Sequence, residues 1–100
     1  MWPFSSPISI AVVTYVGFGH QSFPSTDVTA LVRRFGDKRA AKLLPRVEAL
    51  LRESLGVPGL MAIDLAAGAR AVQRVMRKRH WSLSRKALRA LAWYASFNVR

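Results

Sequence analysis

The segment 38–55 constrains this chain most, because its apolar residues recur at the period of an α-helix. Ala40, Leu43, Leu44, Val47, Leu50, Leu51 and Ser54 fall on one side, with Lys38, Lys42, Arg46, Glu48, Arg52 and Glu53 opposite. A rod with one apolar face must bury it against another element. Three further segments repeat the pattern and supply the partners. Val28, Leu31, Val32 and Phe35 share a face over 27–35, Met61, Leu65, Gly68, Val72, Val75 and Met76 share one over 60–79, and Ala87, Leu88, Leu91, Ala92, Tyr94 and Ala95 share one over 85–97. The expectation is an all-α fold, a small bundle of about four helices, with Met61 and Met76 in its core. One hundred residues suit a single domain of this kind.

The punctuation agrees with that division. Pro24, Ser25 and Thr26 are capping candidates for the first of these helices, Gly36 is its natural stop, and Asp37 offers the next N-cap. Pro45 projects toward the polar side of its helix, where a kink is tolerated best, and predicts a bent helix or two abutting ones. Gly56, Pro58 and Gly59 end that helix. Ser84 is placed to cap the last one, with Leu83 and Leu88 at the spacing of a hydrophobic staple.

The N-terminal quarter is different in kind, since residues 1–26 carry no formally charged side chain. Its apolar run, 8–19, opens at Ile8 and closes at Gly19. As a helix it would span only about 18 Å, short of the roughly 30 Å hydrocarbon core of a bilayer. Extension back to Trp2 brings in Pro3, Ser5, Ser6 and Pro7 and yields a marginal span. The run lacks the basic flank of a secretory signal and the arginines of an organelle presequence. Ile8, Ile10 and Val12 alternate with Ser9 and Ala11, and β-branched residues dominate, which predicts an extended or strand-like apolar arm over 1–24. No second strand is evident to pair with it, so a buried arm, a strand paired in a homo-oligomer and a helix remain the alternatives. The helical domain is expected over 25–100, with a basic helical hairpin over 60–100.

Charge is segregated along the chain. Nine of its sixteen Lys and Arg residues lie in 70–100, and the last acid is Asp64; residues 1–64 hold seven basic against five acidic groups, so +2 of the formal charge sits there and +9 beyond. A charged helix face is ordinarily a solvated one, but ordinary faces mix signs. An acid-free stretch of this length concentrates polyanions and anionic surfaces around it.

Catalytic chemistry finds little support. His20 in the glycine-rich link and His80 at a helix end are far apart, the five carboxylates are scattered, and neither an HExxH nor a CxxC spacing occurs. Gly17, Phe18 and Gly19 supply two glycines of a dinucleotide fingerprint without the third or its strand-loop-helix setting, and read as a turn. The absence of cysteine excludes disulfides and thiol chemistry and is compatible with a reducing intracellular compartment. No enzyme, cofactor or metal is expected.

The constellation with a mechanism is the basic stripe. Arg70, Arg74 and Arg77 lie a helical turn apart on one face, with Lys78 and Arg79 following and Arg85, Lys86 and Arg89 continuing it on the last helix. Trp81 and Trp93 are available for stacking on bases, against the competing reading that they pack at the core's edge. The expected function is binding of a polyanion, an RNA or DNA backbone before a specific sequence. Neutralising about four phosphates would make affinity fall roughly as the 3.6 power of salt. A helix-turn-helix with Ser84, Arg85, Lys86 and Arg89 entering a major groove competes with a plain αα-hairpin. Two readings come from other classes: an assembly subunit whose run from Ile8 to Gly19 inserts in a protein partner or membrane, and a helical binder or inhibitor of an acidic protein.

Overall fold

The computed structural model describes residues 6–61 and 64–99. Among them five α-helices follow one another: α1 Pro7–Val16, α2 Val28–Phe35, α3 Asp37–Leu55, α4 Leu65–Arg79 and α5 Arg85–Asn98. No strand occurs among the described residues. The fold is all-α as expected, with one more helix than the four anticipated.

The additional helix is α1, and it corrects the expectation of an extended arm. Ser6 caps it, its side chain accepting from the Ser9 amide at 3.3 Å, and Pro7 occupies the first turn, where a missing N–H is no loss. Gly17 ends it in the left-handed region at φ 75° and donates to the Val13 carbonyl at 3.1 Å. Between these stops, Ile8, Ala11, Val12, Tyr15 and Val16 form one buried apolar face. The β preference of Ile and Val is worth less than that burial, and a helix satisfies its own backbone where a lone strand would need a partner. Residues 1–5, which include the extension back to Trp2, lie outside the described residues, as does Arg100 at the end of the basic stretch.

α1 packs against α5, α3 and α2, so the apolar run lies in the same core as the amphipathic helices. The radius of gyration, 12.9 Å, matches the roughly 13 Å of a compact 100-residue domain, which places α1 and the basic hairpin in one body.

The α2–α3 corner turns on a single residue. Gly36, at φ 83°, donates to the Val32 carbonyl at 2.7 Å to close α2, and its own carbonyl accepts from Ala40 at 3.0 Å to open α3. Asp37 is therefore the first residue of α3 rather than its cap, a position where a carboxylate still complements the helix dipole. The cap of α2 is Asp27, accepting from Ala30 at 3.1 Å, in place of the Ser25 or Thr26 anticipated. α3 runs unbroken through Pro45, which is exposed, as is Ala41, the residue whose carbonyl Pro45 leaves without a helical donor.

α4 begins later than the periodicity suggested. Gly59 takes φ 91°, Leu60 drops into the core at 2% exposure, and Met61 turns outward at 67%, against its expected core position. Met76, by contrast, is fully buried. Asp64 then caps α4 by accepting from Ala67 at 2.7 Å. α5 is the hub: Ala87, Leu88, Ala90, Leu91, Ala92 and Ala95 are all buried, and α4, α1 and α3 pack on it.

Candidate functional site

The basic hairpin is built by opposed helix faces. α4 turns Ala71, Val72 and Met76 inward, which forces Arg70, Gln73, Arg74 and Arg77 out along the other side at steps of three and four. It stops at His80, whose amide donates to the Met76 carbonyl at 2.8 Å, and the Leu83 amide closes the corner on the His80 carbonyl at 3.0 Å. Ser84 opens α5 as expected, accepting from Ala87 at 3.1 Å. Leu83 and Leu88, the two residues of the staple, are both buried. The Ser84 amide donates at 2.9 Å to Ser9 Oγ, so the start of α5 is fastened to α1.

Between α4 and α5 lies an open groove of about 620 Å³. Arg70, Gln73, Arg74 and Arg77 line one wall, Arg85 and Arg89 the other, Trp81 stands at the corner, and Leu83 and Leu88 contribute apolar surface. Five guanidinium groups thus face one concavity, and among the described residues no carboxylate lines it. Asp64, the nearest acid in sequence, is engaged as the α4 cap.

Two electrostatic features make this surface costly without a counter-charge. Like charges at spacings of three and four destabilise α4 by a few tenths of a kcal/mol per pair, roughly. Arg85 and Lys86 occupy the first turn of α5 with no acid beside them, against the partial positive charge of a helix N-terminus. Both strains ease when an anion enters.

Six of the nine residues singled out from the sequence line the groove: Arg70, Arg74, Arg77, Trp81, Arg85 and Arg89. Lys78 and Lys86 are exposed but point elsewhere on the hairpin. Arg79 is diverted, its Nη1 lying 3.1 Å from Glu53 Oε2 on α3. His80 reaches the same carboxylate, its Nε2–H donating to Oε1 at 2.8 Å, since an ionised carboxylate can only accept. Partial burial would push the Glu53 carboxyl up, but the hydrogen bonds from His80 and Arg79, with the charge interactions of both, outweigh it and hold the group below its ordinary value.

Trp93, the other tryptophan available for stacking, packs partly buried against the core. Its ring packs 5.4 Å from Phe18 and 6.0 Å from Phe97, whose own ring lies 6.0 Å from Phe23, an aromatic row on the side of α1 and α5. Gln73, Leu83 and Leu88 are groove residues that charge alone did not select; their signals were the shared face with Arg70 and Arg77 and the staple spacing. A groove reader is a poor description of α5, because half its length is buried. Among the described residues no group of three or more His, Cys, Asp or Glu side chains gathers, and no helix is long and apolar enough to cross a membrane.

No protein-family model matches the chain, and no curated protein or solved structure matches it either.

Proposed function

We propose that this chain is a non-enzymatic nucleic-acid-binding protein that grips a phosphate backbone in the groove between α4 and α5. The observation that carries the reading is the convergence of Arg70, Arg74, Arg77, Arg85 and Arg89, from two helices, on one concavity without a carboxylate in its lining. Arginine is suited to the task, because its planar fork pairs phosphate oxygens bidentately and never loses its charge near neutral pH. The faces are fixed by packing of the opposite sides of both helices, so the cations are presented together before any ligand arrives. The insertion of the run from Ile8 to Gly19 into a partner or bilayer is disfavoured by the same packing. Ile8, Val12 and Tyr15 are occupied inside the core and would have to leave it.

Salt-dependent binding tests the proposal. Five phosphate contacts give a slope of log affinity against log salt between about −3.5 on a single strand and about −4.5 on a duplex. Replacing Arg70, Arg74 and Arg77 together by Glu should weaken binding by more than about 100-fold and flatten the slope by about three. Titration of a labelled oligonucleotide at several salt concentrations reads both. Absence of salt-sensitive binding at tens of micromolar, or no effect of the triple variant, would overturn the reading.

A further inference from the structure

Trp81 is 86% exposed, the most exposed large apolar side chain among the described residues. Tryptophan on a protein surface forfeits the burial it would gain in a core. Trp93, in the same hairpin, takes that burial among Phe18 and Phe97. Among the described residues Trp81 has no aromatic neighbour of this kind. It stands instead at the corner of the arginine groove, beside the apolar surface of Leu83 and Leu88.

We propose that the groove takes single-stranded nucleic acid in preference to duplex, with an unpaired base stacked on Trp81 while Arg70, Arg74, Arg77, Arg85 and Arg89 hold the flanking phosphates. The inference rests on the polyanion reading above and narrows its ligand. Three arguments lead to it. A duplex hides the faces of its bases in its own stack and offers Trp81 only edges and phosphates, whereas an unpaired base offers a π-face that any sequence can supply. The arginines flank a concavity between two helices whose axes pack about 8–10 Å apart, and such a pair is too wide for a major groove of about 12 Å that admits one helix. A flexible strand can follow the concavity, and the span from Arg70 to Arg77, about 10 Å along α4, suits a few nucleotides. Finally, every cation lining the groove among the described residues is Arg, while Lys78, Lys86 and the diverted Arg79 lie outside it. The guanidinium plane both pairs phosphate and stacks on bases, which ammonium does not.

The test compares labelled oligonucleotides of ~12 nucleotides, as single-stranded RNA, single-stranded DNA and duplex DNA of the same sequence, at one salt concentration, by fluorescence anisotropy. Single strands should bind about tenfold or more tighter than the duplex, Trp81→Ala should weaken single-strand binding about tenfold while changing duplex binding less than about twofold, and Trp81→Phe should restore most of the loss. An unchanged circular dichroism melt shows that Trp81→Ala still folds, as its exposure requires. Equal binding of duplex and single strand with no effect of Trp81→Ala overturns the single-strand inference and leaves the backbone-binding reading standing, provided the triple Arg-to-Glu variant still fails to bind. Loss of all binding in the unaltered protein overturns both.

Discussion

Ser9 decides how the first helix meets the last. It is completely buried, and its Oγ accepts from the Ser84 amide at 2.9 Å while sharing a hydrogen bond with Ser6 Oγ at 3.0 Å. In the strand pattern of alternating residues this serine is an outward-facing polar position. In the helix it is the polar contact between α1 and the N-cap of α5, worth having because an amide left without an acceptor costs up to about 1–3 kcal/mol when buried and less where, as here, it is part-buried. Ser9→Ala removes that acceptor with almost no change in volume. The expected loss is about 1–2 kcal/mol, a fall in Tm of roughly 5–15 °C for a domain of this size, read by a thermal melt. A loss below about 0.3 kcal/mol would mean that the amide finds another partner.

At the scale of elements, α4 docks chiefly on α5, and the Glu53 carboxylate is the side chain of α3 that holds its C-terminal end. The folded carboxyl lies below its ordinary value of 4.5, so its stabilisation is complete above that pH and lost as pH falls through the lower folded value. Glu53 is partly exposed, and the pair contributes no more than about 1 kcal/mol. Glu53→Gln should therefore lower Tm at pH 6 by a few degrees, and the difference should vanish as acid protonates the folded carboxyl. A difference that persists undiminished in acid would show that shape, not charge, is what Glu53 supplies. This tie was invisible in the sequence, because Glu53 and Arg79 are 26 positions apart and nothing local couples them. What local chemistry specified came through well: Gly36 between two periodic segments, Ser84 before the last helix, and the steps of three and four that align Arg70, Arg74 and Arg77. The β-branched residues of α1 argue for a strand, and a helix with most of its surface covered shows little amphipathic contrast. The decisive marks were its ends, Ser6 with Pro7 and Gly17, rather than its middle. The late start of α4 has a similar origin, since Met61 and Leu65 fit the apolar period yet the Asp64 cap sets the boundary.

For the molecule as a whole, a net charge of +11 on 100 residues works against the compact state. Among the described residues, only Arg79 forms a side-chain ion pair with a carboxylate, that of Glu53, which also hydrogen-bonds His80. Salt should then act in opposite directions on stability and on the proposed binding. Raising it from about 20 mM to about 300 mM screens the self-repulsion and should lift Tm by about 2–5 °C, while binding weakens along the slope given above. Arg74→Gln, which removes the middle charge of the α4 row, should be slightly more stable than the unaltered protein at low salt and respond less to added salt. A Tm that falls with salt would place the balance of charge interactions on the attractive side. The fastening of Ser84 to Ser9 joins positions 75 apart, and it has a consequence for the order of events during synthesis. Contacts so distant in sequence close late, after nearer ones have formed. A ribosome therefore releases the arginines of α4 while the opposite wall is still unmade, and the hold on nucleic acid proposed above would belong only to the folded chain.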